Sequence, residues 1–303
     1  MLLVAALLVG CLLAVQTSAN LQLTKAVGTP YGASTLQLAL AAGLLAVVAL
    51  AAGEITAIRL DVPGWHLLGG LASPLYITSG ILLFPRLGAL ASVGLFVTGQ
   101  VAASLALDLF GLLGIPRQPS SVGILLGVVA VLAGITVIIR ELRPGGPASR
   151  TRGRAAWILL GLIAGAVLPI QGAVNARLRA DLHAPLAVAL ISFVVATLAI
   201  AAVLLVLLAT RSTPSPRVRP LATMPWWGWL GGACAATYVT ATFLLIPEIG
   251  AATTVALTVT GQQLASALID HNGLFRLPRR PMSVPRLSGL ALLVAGSVLV
   301  QLG

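Results

Sequence analysis

The chain has 303 residues, of which 58% are apolar and only 8% charged, and its formal net charge is +11. Soluble domains carry about 45–50% apolar and about 25% charged residues. This chain therefore cannot coat a water-facing surface, which excludes a soluble enzyme, a nucleic-acid-binding domain and a disordered tail. The bilayer is the remaining solvent, and at roughly 20 residues per span the length allows ten or eleven helices.

Ten apolar runs follow one another, separated by charge or by Pro and Gly. The first set lies near Leu2–Leu21, Tyr31–Gly53, Trp65–Phe84, Leu87–Leu109 and Val122–Ile139. The second lies near Ala155–Val174, Pro185–Ala209, Trp226–Ile246, Ile249–Ile269 and Leu287–Leu302. Runs of this length must be helices, because lipid offers the backbone no outside hydrogen-bond partner. Met1–Ala19 has no Lys or Arg before its apolar stretch, so it reads as the first span rather than as a cleaved leader. Tight turns are required at Phe84–Leu87 and at Pro247-Glu248. Pro74 and Pro169 fall inside spans and are expected to kink them. Trp65, Trp226, Trp227 and Trp229 open spans 3 and 8, as an aromatic belt does.

The basic residues are unevenly distributed. Seventeen of the 18 are arginines, which reads as membrane orientation rather than phosphate binding. Connections 1–2, 3–4, 5–6, 7–8 and 9–10 hold 14 of them, and the other connections hold only Arg59, Arg117, Arg177 and Arg179. Basic connections stay in the cytoplasm. Both termini are therefore expected outside, and the basic linker 140–154 inside.

A shift of 162 residues aligns Pro63–Gly134 with Pro225–Gly296 without a gap, with 32 identities in 72 pairs. Tyr76 meets Tyr238, Pro85 meets Pro247, Gly88 meets Gly250, and Pro116-Arg117 meets Pro278-Arg279. Upstream, a shift of 155 matches Gln16, Asn20, Leu23 and Pro30 with Gln171, Asn175, Leu178 and Pro185. The predicted organisation is a first five-helix repeat at 1–139, the linker at 140–154 and a second repeat at 155–303. Five crossings per copy invert the second copy relative to the first. Inverted repeats are a recurring plan of secondary transporters, with the substrate site at the repeat interface near the midplane.

The strongest paired string runs from Gly99-Gln100 through Ser104 and Asp108 to Gly111, answered by Gly261-Gln262, Ser266, Asp270 and Gly273. This G-Q-x-x-A-S-x3-D-x-x-G pattern, with Gln171-Gly-Ala-Val-Asn175, resembles the YdcZ family of the drug/metabolite transporter (DMT) superfamily. The resemblance covers nearly the whole chain as a fused, two-copy version of the unit. It implies an all-α integral membrane protein of the EamA/DMT-like kind, with ten transmembrane helices in two inverted five-helix repeats in a bacterial inner membrane. It implies no cofactor and leaves the substrate open.

Gln100, Ser104, Asp108 and Gly111 lie at i, i+4, i+8 and i+11, along one stripe of a helix. An amide at mid-membrane faces either a cavity or a partner helix, and Gln100 and Gln262 are candidates for both roles. Gln16 with Asn20, and Gln171 with Asn175, form i, i+4 amide pairs on spans 1 and 6 that suit a neutral or zwitterionic solute as well as helix packing. Tyr76 and Tyr238 could close the site or anchor at the interface. Asp108 and Asp270 are expected to cap helix ends or pair, with ion coupling as the alternative. Gly127, Gly134, Gly289 and Gly296 are spaced by seven on spans 5 and 10, and small residues let helices approach closely in lipid. Spans 1 and 6 carry no acid, unlike the small multidrug carriers of the same superfamily, which counts against proton-coupled export of lipophilic cations.

The expected function is a secondary transporter of a small polar or amphipathic metabolite, directed outward and working by alternating access. The alternative is a channel or a non-transporting membrane component. An intramembrane enzyme is disfavoured, because inversion places Asp108 and Asp270 at opposite faces and no G-x-S-x-G turn exists. His66, His183 and His271 are scattered, so no metal site is expected, and Cys11 and Cys234 support neither a disulfide framework nor a zinc site. The expected partners are a small-molecule substrate and the lipid bilayer, with no nucleic acid, in a monomer or homodimer.

Overall fold

The computed structural model describes residues 1–59, 61–115, 117, 121–141 and 149–302. Residues 142–148 of the basic linker 140–154 thus lie outside the described residues, as does Pro116. The described residues form α1 (Leu2–Val27), α2 (Pro30–Ala51), α3 (Ala72–Leu87), α4 (Ala89–Phe110) and α5 (Val122–Arg140). The second copy supplies α6 (Ser149–Leu182), α7 (Pro185–Ala209), α8 (Leu230–Ile249), α9 (Ala251–Asn272) and α10 (Val284–Leu302). Nine of these spans are long and apolar enough to cross a membrane. The exception is α9, which carries Thr254, Thr258, Thr260, Gln262, Gln263 and Ser266, all buried against neighbouring helices.

Local chemistry sets the boundaries. Pro30 and Pro185 open α2 and α7 at the first helical turn, where the missing N–H is not needed. The turns between α3 and α4 and between α8 and α9 are single glycines, Gly88 (φ +92°) and Gly250 (φ +82°), a conformation that side chains with a Cβ resist. Pro85 and Pro247 sit just inside the last turns of α3 and α8 rather than at the breaks themselves. Pro74 also departs from expectation: it lies in the first turn of α3, behind the 3-10 segment Gly64–Leu71, where it removes no interior helical bond. Pro169 lies within α6. The tryptophans do open spans 3 and 8, in 3-10 turns that lead into α3 and α8.

The two copies interlock. The first helix of each packs on the third and fourth helices of the other: α1 on α8 and α9, and α6 on α3 and α4. Glycines permit the closest approaches, in matched pairs. A Cβ on Gly10 would overlap the backbone of Thr258, and one on the equivalent Gly165 would overlap Phe96, the repeat mate of Thr258. α2 lies against α7, and α5 against α10. At the α5–α10 crossing a Cβ on Gly134 would stand 2.7 Å from the Gly289 carbonyl, and one on Gly296 would stand 2.7 Å from the Gly127 carbonyl. The main apolar core runs through both copies.

Candidate functional site

A cavity of about 420 Å³ lies between the copies. Of the eight candidate substrate-contacting residues, Gln16, Gln100, Gln171, Gln262, Asn175, Tyr76 and Tyr238 line it. No Asp, Glu, Lys or Arg among the described residues does so. Amides and hydroxyls share the wall with Leu13, Ile77, Val97, Pro169, Phe193 and Phe243, so the space is amphipathic.

The cavity is displaced toward one end of the bundle. Its wall uses the C-terminal halves of α4, α6 and α10 and the N-terminal parts of α7 and α9, all of which point to the arginine-poor connections. The opposite half is filled: every residue from Leu87 to Gly99 is buried, whereas from Gln100 to Phe110 only Val101 and Leu107 are.

Matched residues therefore occupy unlike surroundings. Gln171 donates to the Ser73 hydroxyl (2.9 Å) and Ser192 hydroxyl (3.3 Å), and Asn175 donates to Ser192 (3.2 Å), all on the cavity wall. Asn20, the mate of Asn175, is the one candidate that does not line the cavity. It is buried in the filled half, where its amide donates to Gln37, the mate of Ser192, at 3.4 Å. Both asparagine oxygens rest on a glycine of the other copy, Asn20 on Gly231 and Asn175 on Gly69, where a Cβ would overlap the oxygen.

The glutamine–tyrosine pairs split in the same way. Gln262 donates to the Tyr76 hydroxyl at 2.8 Å, and both side chains are buried. Gln100 and Tyr238 line the cavity without the matching bond. Gln262 thus borders the cavity and also ties α9 to α3, so the two roles weighed for it coincide.

The aspartates differ as well. Asp270 is 1% exposed. It accepts from the backbone N–H of Ala89 (2.8 Å) and Leu90 (3.1 Å) at the start of α4, and from Arg286 (2.8 Å). Asp108 is half-buried. Asp270 and Asp108 lie at opposite ends of the bundle, and the described residues contain no cluster of three metal-ligating side chains.

Reading the sequence did not single out Ser73, Ser192, Gln37, Arg280 or Arg286. The two arginines left a signal, since they replace Gln118 and Ile124 at a break in an otherwise matching repeat. Two polar contacts at the arginine-poor end also went unanticipated. Glu54 accepts from the N–H groups of Leu186 and Ala187 at the start of α7, and His66 pairs with Asp181 at 2.5 Å.

A family profile described as "Putative inner membrane exporter, YdcZ" matches residues 1–137 and 156–299, once over each copy. No curated protein matches the chain. A solved crystal structure, described only as that of a protein, matches with a TM-score of 0.62 at 20% identity, covering 98% of this chain and 96% of that one. At that identity the likeness speaks for the fold alone. The two profile matches together span most of the chain, which is thus a multi-pass inner-membrane protein belonging to the YdcZ exporter family of the drug/metabolite transporter superfamily.

Proposed function

We propose that this chain is a secondary carrier that exports a small, uncharged or zwitterionic amphipathic metabolite by alternating access. The observation that carries the reading is the split between repeat mates. Gln262 and Tyr76 are bonded to each other on the cavity wall, whereas Gln100 and Tyr238 line the same cavity without the matching bond. Two copies in one sequence register but in two environments are what a carrier caught on one side of its cycle presents. Exchange of environments would bond Gln100 to Tyr238, release Gln262 from Tyr76, and move the cavity to the other end. A wall of amides and hydroxyls without a fixed charge favours a solute with hydrogen-bonding groups and an apolar body.

The connection charges orient the protein with its arginine-rich end in the cytoplasm. The cavity then faces outward, and Gln16, Gln100, Gln171, Asn175, Gln262 and Tyr238 contact the solute. The test begins with a thermal-shift screen of purified protein against amphipathic metabolites and continues with counterflow in proteoliposomes. Transient accumulation of labelled solute against unlabelled internal solute is expected, and to fall with Gln100→Ala. Flux that rises linearly with concentration and shows no counterflow would replace the carrier by a channel.

A further inference from the structure

The filled end of the bundle is closed by bonds from the second copy onto the first. Asp270, at the end of α9, accepts from both N–H groups at the start of α4, where the helix dipole favours a negative charge. Arg280 takes the other side of the same joint. Its guanidinium donates to the Leu87 carbonyl (2.8 Å) and the Arg86 carbonyl (3.1 Å), the free acceptors at the end of α3. Thus a carboxylate holds the N–H groups and a guanidinium the C=O groups on either side of Gly88. Arg286 makes no hydrogen bond to the first copy among the described residues. It is nearly buried and bonds Asp270 (2.8 Å) together with the Arg280 and Pro281 carbonyls (2.7 and 3.2 Å), so it sets the two latch groups in place.

The equivalent joint at the other end is built differently. The mate of Asp270 is Asp108, but the mates of Arg280 and Arg286 are Gln118 and Ile124. A Cβ on Gly88 would stand 2.8 Å from Asp270 Oδ2, whereas one on Gly250 would meet no described atom within 4 Å. The first end is shut against its glycine turn, and at the second no described residue stands against the turn. Both arginines are written into one gate only, so the inequality persists whichever way the cavity faces.

We propose that Asp270 and Arg280, positioned by Arg286, are gating residues that latch the arginine-rich end, and that the opposite gate lacks such a latch. The resting carrier therefore waits with its cavity open to the arginine-poor side. The inference rests on the alternating-access reading. Opening the latched end requires a buried carboxylate and a guanidinium to leave four backbone partners, and hydrogen bonds to an ionised group are the strong ones. The matching joint at the other end has Gln118 and Ile124 in place of the two arginines, and the Glu54 and His66 contacts at that end are already made in the state with the cavity there. Solute binding must supply the difference before the latched end releases, since a ligand shifts a conformational equilibrium only by its differential affinity for the two states.

Thiol accessibility tests the proposal without knowledge of the solute. Ser104 lines the cavity, and its mate Ser266 is fully buried. Each is replaced by Cys in a full-length background carrying Cys11→Ser and Cys234→Ala. Sealed vesicles of both orientations are treated with a membrane-impermeant cationic methanethiosulfonate. In the parent, the Ser104→Cys protein is expected to label from the arginine-poor side and the Ser266→Cys protein to resist. Asp270→Asn, and separately Arg280→Gln, should raise Ser266→Cys labelling from the arginine-rich side by about tenfold or more and slow Ser104→Cys labelling in step. Arg280 is half-buried on a connection, so its variant is informative even if Asp270→Asn fails to fold. Unchanged Ser266→Cys labelling in a folded variant, even one with a lowered melting temperature, would mean these residues brace the fold and do not gate. Equal labelling of the two positions in the parent would instead overturn the access reading itself.

Discussion

Gln262 donates to the Tyr76 hydroxyl across the α9–α3 contact, and the repeat mates of these two residues do not repeat the bond. Tyr76→Phe leaves the buried Gln262 amide without its acceptor, which should cost about 1–3 kcal/mol of stability. Tyr238→Phe removes a hydroxyl from the cavity wall and should leave the unfolding temperature near that of the parent. Thermal unfolding in one detergent compares the two variants directly. Equal losses would mean that both tyrosines brace the fold alike.

The asparagine–glycine contacts make a second prediction. Gly231→Ala and Gly69→Ala place a methyl group against the Asn20 and Asn175 oxygens. Overpacking of this kind costs about 1–3 kcal/mol, and folded yield should fall in both variants. Gly172→Ala and Gly43→Ala add a methyl group where nothing lies within 4 Å and serve as controls. A helix interior also favours alanine over glycine, so the controls should match or exceed the parent in melting temperature.

The α5–α10 crossing is expected to act as a fixed seam between the copies. Gly134→Leu or Gly296→Leu drives a branched side chain into a backbone carbonyl of the facing helix. Size-exclusion profiles should show lost folded protein, while any folded remainder keeps parental solute selectivity. Val129→Leu, on the exposed face of α5, should leave the profile unchanged. Normal yield together with altered selectivity would move these glycines from the seam to the transport path.

Orientation can be read with reporter fusions. A reporter active only in the cytoplasm should be silent when fused after Gly303 and active when inserted within the linker 140–154. The reverse pattern would invert the protein in the membrane and make the cavity face the cytoplasm.

The helices were legible because lipid forces every apolar run of sufficient length into one conformation. The pairing of copies was legible from matched Gln, Tyr, Asp and Gly positions. Which member of each pair lies open was not, because identical residues carry no mark of the state in which the bundle rests. Asn20 and Asn175 read alike, yet one is sealed and the other borders the cavity. The bond from Gln262 to Tyr76 joins residues 186 apart and depends on how the copies are tilted together. The exact place of the helix breaks was also hidden. Proline marked the neighbourhood, but Gly88 and Gly250, able to adopt positive φ, make the turns.

The interlocking of the copies has a consequence for biosynthesis. α1 packs on α8 and α9, α2 on α7, α3 and α4 on α6, and α5 on α10, so each of the first five helices leaves a packing face uncovered until the second five emerge. The amino-terminal half must wait in the bilayer with the glycine surfaces of α1 and α5 covered only by lipid. Packing is therefore completed only when α10 meets α5, and the two halves supplied as separate polypeptides should assemble only when made together.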